Sequence, residues 1–272
     1  MSIPNYQQQI KAVFFDIDET LFSKNTNYLP ESTQLAIKKL RENNILVGIA
    51  TGRARCSFPE KINKLIKLEN LNTFITMNGQ YVEYQNQLIE KHPISTAKIQ
   101  NLTHFLEKNN IVYAFVSNNK ICVSDITSEL KEALDPITTN YHVEKDYFKN
   151  NEVFQILAFY SNTQDNLIKN AHILDNLKTV RWHPNSVDIF DSEGSKARGI
   201  KAIIHHLGLT MENVMAFGDG LNDIEMLNSV GVGVAMGNGH TSLKKVASHI
   251  TDRIEEDGIY NFLIKSKLID NK

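Results

Sequence analysis

The sequence has few cysteines, no excess of charge of either sign and no long apolar run. Its 272 residues include only Cys56 and Cys122, which excludes a disulfide framework and favours a reducing compartment. Asp and Glu number 31 against 29 Lys and Arg, so the composition carries no basic excess for nucleic acid. No apolar run approaches the length of a membrane span, and the polar N-terminus lacks the apolar core of a signal peptide. We therefore expect a cytoplasmic protein without a nucleic-acid or membrane partner.

The histidines offer no metal site, and the overall composition is that of an ordinary soluble protein. Nine histidines occur without a zinc-ligand pattern. Hydrophobic residues make up 42% and charged residues 22% of the chain, which is typical of globular proteins. The length allows one large domain or two ordinary ones.

Short apolar runs alternate with helical stretches at both ends of the chain. Such runs cover Lys11–Phe15, Ile45–Ala50 and Thr73–Thr76, and the same pattern returns at Val214–Asp219 and Gly231–Gly237. Continuous apolar strands separated by helices indicate a parallel sheet covered on both faces. This predicts the α/β fold class.

About a hundred residues separate these two regions, which is too long for a structureless loop in a compact domain. They contain hairpin-like and strand-like stretches and a helix with Ile99, Leu102, Phe105 and Leu106 on one face. We therefore predict a core domain formed by residues 1–80 and 184–272, with a second α/β domain, residues 81–183, inserted into it.

Polar residues follow several of the predicted core strands. Asp16 follows "AVFF", Thr51 follows "ILVGIA", Asp219 follows "VMAFG", and Lys196 follows "VDIF" after a short turn. Open α/β sheets bind ligands outside the carboxyl ends of their strands. Residues far apart in sequence are thus expected to meet at one edge of the sheet.

The types of these residues indicate phosphoryl transfer. Up to four carboxylates would meet there, from Asp16, Asp18, Asp219 and Asp223. Such a cluster requires a cation, and oxygen ligands without His or Cys suit Mg²⁺. Thr51 and the Gly52 amide, at the start of the following helix, can donate to an anion, and Lys196 supplies a positive charge that suits phosphate.

Asp16 and Asp18 have the spacing of two carboxylates that share one phosphate in different roles. One carboxylate can attack phosphorus and form an aspartyl-phosphate if Mg²⁺ and Lys196 offset the repulsion between anions. The other can protonate the leaving oxygen and later deprotonate the attacking water. The order along the chain assigns the attack to Asp16 and the proton transfers to Asp18.

The sequence resembles the haloacid dehalogenase (HAD) superfamily and, within it, the Cof-like subfamily IIB hydrolases. The resemblance runs through "FFDIDETL", "GIATGR", "TMNGQ", "GSKARGI", "FGDGLNDIEML", "GVAMGN" and "EEDGI". It implies a Rossmann-like core with an inserted α/β cap that selects the substrate. The implied activity is Mg²⁺-dependent hydrolysis of small phosphate esters.

The resemblance also implies roles for individual residues. Asp16 is expected as nucleophile and Mg²⁺ ligand, Asp18 as general acid and base with its backbone carbonyl on the metal, Asp219 as a further ligand and Asp223 as a supporting carboxylate. The expected phosphate-binding groups are the Ile17 amide, Thr51, Gly52, Lys196 and Asn222. The sequence departs from the family pattern at Glu19, where relatives often have Gly.

Each of these residues also has a structural alternative. Asp16 with Asp18 can form a turn and a helix cap, Asp219 with Asp223 can open a helix, and Lys196 can be a surface lysine. Further candidates can contact substrate or serve the fold instead: Arg53 as an ion pair, Asn78 and Gly79 as a turn, Trp182 and His183 as core. Cys56 is expected to be a packed, unreactive thiol.

Three alternatives remain open for the function. Sugar phosphates are the first expectation for the substrate, with phosphorylated cofactors such as FMN or pyridoxal phosphate beside them. A phosphotransferase or mutase would pass the phosphoryl group to a sugar hydroxyl instead of water. A non-catalytic phosphometabolite sensor is disfavoured because all the aspartates are present. The motifs carry no information about oligomeric state.

Overall fold

Strands and helices alternate along the chain as the apolar runs predict. The computed structural model describes residues 3–271. The strands are β1 (Ala12–Phe15), β2 (Leu46–Ala50), β3 (Thr73–Thr76), β4 (Tyr81–Tyr84), β5 (Gln87–Lys91), β6 (Val112–Val116), β7 (Ile121–Val123), β8 (His142–Val143), β9 (Gln155–Phe159), β10 (Leu177–His183), β11 (Ser186–Asp191), β12 (Val214–Gly218), β13 (Val232–Ala235) and β14 (His249–Ile250). The helices are α1 (Glu31–Glu42), α2 (Glu60–Leu68), α3 (Thr96–Lys108), α4 (Ser128–Leu134), α5 (Asp165–Asn170), α6 (Lys196–His206), α7 (Ile224–Ser229), α8 (Thr241–Val246) and α9 (Gly258–Lys265).

The described chain divides into two units, and the first is built on a sheet of eight strands. Its strand order is β14-β13-β12-β1-β2-β3-β4-β5. The strands from β14 to β3 pair in parallel, and β4 pairs antiparallel with β3. The α/β fold class predicted from the sequence is confirmed, with an antiparallel addition at one edge.

Strand β1 lies in the middle of this sheet, and all four of its residues are buried. Successive side chains point to opposite faces. Phe14 packs in a cluster with Ile200 and Ile203 of α6. On the other face Phe15 stacks on Phe217, which contacts Phe262 of α9 edge to face. Helices on both faces explain why β1 is a continuous apolar run.

The second unit has its own six-stranded sheet, in the order β10-β11-β9-β6-β7-β8. Its pairs are antiparallel except that of β7 with β8. Helix α3 buries Leu102 and Leu106 against Tyr113, Phe115 and Ile156 of this sheet. The face of α3 predicted from apolar spacing is the one that is buried.

The boundaries between the units differ from those expected. The chain enters the second unit at Lys91 and leaves it after Gly194, and Arg53–Phe58 also belongs to it. The predicted boundaries at 81 and 184 stay a prediction, and the division of the described chain lies about ten residues from each. Strand β4 pairs with β3 and so belongs to the first sheet, whereas β11 pairs with β9 and so belongs to the second.

The cysteines and the candidate cap residues have ordinary environments. Cys56 and Cys122 are both free thiols, and burial raises the pKa of Cys56. Trp182 and His183 lie half-buried at the end of β10, with their rings tilted and 5.9 Å apart. Among residues 3–271, no helix combines the length and apolarity needed to cross a bilayer.

Truncation of a buried leucine should destabilise this fold more than truncation of an exposed leucine. Leu102 is 0% exposed and Leu68 is 73% exposed. Leu102→Ala leaves a cavity and should lower the free energy of unfolding by about 2–5 kcal/mol. Leu68→Ala, the matched control, should change it by less than about 0.5 kcal/mol. Denaturant unfolding measures both, and equal losses would contradict the assigned packing.

Candidate active site

The register of the parallel strands aligns the ends of β1, β2 and β12. Phe15 is opposite both Ile49 and Phe217. Asp16 therefore begins the loop after β1 beside the ends of both neighbours, and its N–H donates to the Phe217 carbonyl at 3.0 Å. The polar residues that follow these strands are consequently brought to one edge, as the sequence predicts.

The Lys196 ammonium lies between two carboxylates at this edge. Nζ is 2.7 Å from Oδ1 of Asp16 and 2.6 Å from Oδ1 of Asp223, and the lysine is 0% exposed. Lys196 is the first residue of α6, whose N-cap Ser195 accepts from the Arg198 N–H. Burial by itself lowers the pKa of Lys196, but the charges of Asp16 and Asp223 outweigh it and hold the pKa above its usual value. The lysine is thus a permanent cation, and a surface position for it is excluded.

Asp223 is fully buried and organises the loop after β12. One carboxylate oxygen accepts from Lys196, and the other accepts from the N–H groups of Asp219 and Gly220 at 3.0 and 2.9 Å. Asp223 therefore does more than open a helix, because it joins the Asp219 loop to α6.

Asp16, Asp219 and Asp223 form a carboxylate cluster that can hold a metal ion. One oxygen of each lies within 4.8 Å of the others. Burial and, to a smaller extent, the charges of Asp16 and Asp223 raise the pKa of Asp219 to about 9. Burial also raises the pKa of Asp16 to about 7, although Lys196 opposes this. One lysine does not neutralise three carboxylates, and a hard divalent cation would.

The loop after β1 carries Asp18 on a tight turn. The Ile17 side chain is fully buried, and its carbonyl accepts from the N–H groups of Leu21 and Phe22 at 3.0 and 2.8 Å. Asp18 is half-buried, and its negative charge helps to raise the pKa of Asp16. The carboxylate cluster of the described residues does not include Asp18. The two aspartates therefore have different environments, as two different roles require.

Glu19 has a left-handed backbone, with φ of 54°. Its carbonyl accepts from Asn238 at 2.7 Å. Glycine adopts this conformation without steric cost, whereas other residues are strained by about 1 kcal/mol. Glu19, where this chain departs from the expected pattern, is therefore a position at which glycine would relieve backbone strain.

Thr51, Gly52 and Asn222 meet around Asn78. The Asn78 N–H donates to the Thr51 carbonyl at 3.0 Å, and Nδ2 of Asn222 donates to Oδ1 of Asn78 at 3.1 Å. A Cβ placed on Gly52 would lie 3.3 Å from the Asn78 amide. The predicted phosphate-binding residues of two separate loops are thus linked by one buried residue, through its backbone N–H and its side chain.

Gly79 packs against the start of α6. Its φ is 83°, and a Cβ there would lie 2.0 Å from the Ser195 carbonyl oxygen. Only glycine fits this position, so the turn that carries Asn78 lies directly against the residue before Lys196. Asn78 and Gly79 thus lie in a tight turn, and the substrate contact suggested for them stays a prediction.

Arg53 makes its hydrogen bonds within the second unit. Its guanidinium donates to the Ser57 carbonyl at 2.6 Å and to the Ile137 carbonyl at 3.2 Å, and the residue is 7% exposed. The ion pair considered from the sequence stays a prediction, as does the predicted contact of Arg53 with substrate.

Several residues of the site had no role in the sequence interpretation. Thr20 donates to Asp219 at 3.4 Å, and Asn238 supports the Glu19 loop. Arg198 donates to the Gly79 carbonyl and to Gln80 at 3.4 and 3.1 Å. Thr20, Asn238 and Gln80 lie within the quoted motifs, and this was the only signal in the sequence that could have identified them. Their contacts could not be predicted, because they join segments distant in sequence.

Gly79→Ala should be costly, and Gly208→Ala provides a matched control. Both glycines have positive φ, but a Cβ on Gly208 would meet nothing within 4 Å. Gly208→Ala should lower the free energy of unfolding by about 1 kcal/mol through backbone strain. Gly79→Ala adds a clash with Ser195, worth about 1–3 kcal/mol more. Thermal and denaturant unfolding test this difference, and equal effects would contradict the contact with α6.

The carboxylate cluster should make the metal-free protein less stable as pH rises. Asp219 keeps its proton in the folded state up to a pKa of about 9, whereas the unfolded chain loses it near pH 4. Unfolding therefore releases a proton between these values, and stability should fall from about pH 5 to pH 9 in EDTA. Asp219→Asn should flatten this part of the profile. An unchanged slope in the variant would contradict the raised pKa.

The comparisons with known proteins agree with this geometry. The family described as haloacid dehalogenase-like hydrolase matches residues 13–263. YkrA of Bacillus subtilis, named as a phosphatase-type protein, is 36% identical over 252 residues, which are 92% of this chain and 95% of YkrA. A Streptococcus pyogenes protein, named for phosphatase and peptidyl-prolyl cis-trans isomerase activities, is 36% identical over 97% of this chain, which spans only 56% of that protein.

A solved structure extends the similarity to three dimensions. The HAD subclass IIB sugar phosphatase BT4131 has a TM-score of 0.86 and 31% identity, covering 95% of this chain and all of that one. The family resemblance and the hydrolase class predicted from the motifs are confirmed. The chain belongs to the haloacid dehalogenase-like hydrolases, in their Cof-like branch.

Proposed function

We propose that this protein is a Mg²⁺-dependent phosphatase that hydrolyses small phosphorylated metabolites through an aspartyl-phosphate on Asp16. The observation that carries the proposal is the Asp16 carboxylate beside the buried Lys196 ammonium, 2.7 Å away. The pair supports the proposal because a carboxylate and a fixed positive charge lie at one point of the sheet edge. Relatives named as phosphatases support the same reaction class.

In the first step an oxygen of Asp16 attacks the phosphorus, and the bond from phosphorus to the ester oxygen breaks. Asp18 gives its proton to the leaving oxygen. Lys196 stabilises the negative charge that remains on the phosphoryl group. The products of this step are the free alcohol and the phosphorylated Asp16.

In the second step water attacks the phosphorus, Asp18 takes a proton from this water, and the bond to Asp16 breaks. Inorganic phosphate leaves, and both aspartates return to their starting states. The hydrogen-bonding groups proposed to hold the phosphate are the Ile17 amide, Thr51, Gly52, Asn222 and Lys196. The Thr51–Gly52 loop, the Asn222 loop and the start of α6 converge around the Asn78 turn.

Asp16, Asp219, Asp223 and the Asp18 carbonyl are the proposed Mg²⁺ ligands. The bound ion would neutralise carboxylates and phosphate oxygens that otherwise repel each other. The three clustered side chains offer only carboxylate oxygens, the donors that Mg²⁺ prefers. Burial, together with the neighbouring carboxylates, raises the pKa values of Asp16 and Asp219, which supports a need for a cation when the cluster is charged.

Sugar phosphates are the first proposed substrates, followed by phosphorylated cofactors such as FMN and pyridoxal phosphate. The sugar phosphatase BT4131 supports the first choice. We assign the choice of substrate to the second unit, which has a separate sheet and core. The low cysteine count supports a cytoplasmic location.

Replacement of the nucleophile should abolish phosphate release. Asp16→Asn keeps the shape of the side chain but removes the attacking charge, so kcat should fall by at least about 10³-fold. A panel of phosphate esters, assayed with Mg²⁺ and with EDTA, gives the measurement. EDTA should abolish wild-type activity as well.

The exposed Asp270→Asn is the control for this experiment and should retain full activity. Near-normal turnover by Asp16→Asn would overturn its role. Transfer of phosphate to a sugar hydroxyl instead of water would overturn hydrolysis and favour a phosphotransferase.

A further inference from the structure

The turn after β3 has three consecutive residues with a left-handed backbone. Met77, Asn78 and Gly79 have φ values of 49°, 55° and 83°. Left-handed conformations cost non-glycine residues about 1 kcal/mol each and persist where surrounding contacts require them. Met77 and Asn78 are not glycine, so this strain applies to both of them, and both lie within the candidate active site.

Asn78 is buried at the meeting point of three loops. It is 2% exposed, and its N–H and its Oδ1 contact the Thr51 carbonyl and the Asn222 amide respectively. Its side chain also lies against Gly52. A side chain so enclosed has almost no surface for a substrate, although the sequence suggested it as a substrate contact.

The hydrogen bond between the two asparagines determines which end of the Asn222 amide is available to an anion. An amide offers two N–H donors on nitrogen and only acceptors on oxygen. Oδ1 of Asn78 is an acceptor, so it holds the nitrogen of Asn222 toward the Thr51–Gly52 loop. The second N–H of that nitrogen remains for a phosphate oxygen. With the amide reversed, its oxygen would repel the same phosphate.

Asn78 also links this amide to the lysine. The next residue, Gly79, packs on the Ser195 carbonyl directly before Lys196. Displacement of the turn would therefore move donors on two loops and the start of α6 together. Positioning errors of about 1 Å can reduce a rate by about 10²-fold.

We infer that Asn78 is a positioning residue that orients the Asn222 amide toward the phosphoryl group, through the 3.1 Å hydrogen bond between their side chains. The inference rests on the proposed phosphatase function and assigns a residue beyond the metal and phosphate ligands. Asn78 acts through Asn222 and does not touch the substrate.

A double-mutant cycle tests this role. Asn78→Gly removes the amide but allows the left-handed backbone, and Asn222→Ala removes the group that Asn78 orients. Each variant should lower kcat/KM by about 10–100-fold, and orthovanadate inhibition with Mg²⁺ should weaken in parallel. The double variant should lose no more than about threefold beyond Asn222→Ala. A merely structural role predicts losses that multiply and unchanged vanadate binding.

Asn70→Gly is the matched control, because Asn70 is exposed and has φ of 47°. It should leave kcat/KM and vanadate inhibition unchanged, with a similar melting temperature. Full activity of Asn78→Gly, or multiplicative losses in the double variant, would overturn the positioning role.

Vanadate binding, followed by thermal shift, separates this inference from the proposed function. A wild type that hydrolyses no ester but binds vanadate, more weakly in Asn78→Gly, would overturn the function and retain the positioning role. An active wild type with an unaffected Asn78→Gly would overturn the positioning role alone. A wild type that neither hydrolyses esters nor binds vanadate would overturn both.

Discussion

The arrangement of this site depends on one buried cation between two carboxylates. Lys196 cannot be buried without partners, because an isolated ammonium in a protein interior is too costly. Asp16 and Asp223 supply those partners from two strand ends that are 207 residues apart in sequence. Any movement of β1, β12 or α6 would leave one of these charges unpaired. The lysine therefore holds three segments in register and also supplies the positive charge that phosphate requires.

The parallel sheet makes this arrangement possible. Adjacent parallel strands that are paired in register end at the same level, so the residues after Phe15, Ile49 and Phe217 meet without long loops. The strands themselves are apolar and buried, whereas charged groups can be accommodated at the strand ends. Three carboxylates then share a small volume and one lysine, which leaves excess negative charge for a divalent cation to neutralise. Repulsion within the cluster and affinity for a metal ion are consequences of the same geometry.

Backbone conformation adds a second constraint beside the charges. Glu19 and the turn from Met77 to Gly79 have left-handed φ values at positions that carry or support the site. Gly79 has no room for a side chain, whereas Asn78 uses its side chain to join two loops. Strain in these turns persists because the surrounding hydrogen bonds leave no alternative path for the chain. The proposed phosphate-binding groups are thus positioned by short-range geometry as much as by charge.

The sequence by itself determined the fold class, the strand ends and the identity of the acidic and basic site residues, because apolar periodicity and charged motifs are local signals. The buried helix face of α3 and the positions of Asp16, Asp219 and Lys196 follow from such patterns. Only the tertiary structure decided which sheet each hairpin joins, since strand pairing at β4 and β11 depends on partners distant in sequence. It also decided that Arg53 binds two carbonyls of the second unit and that Asn78 binds Asn222. The contacts of Arg53 with Ile137 and of Asn78 with Asn222 join residues 84 and 144 positions apart, and no local pattern encodes them.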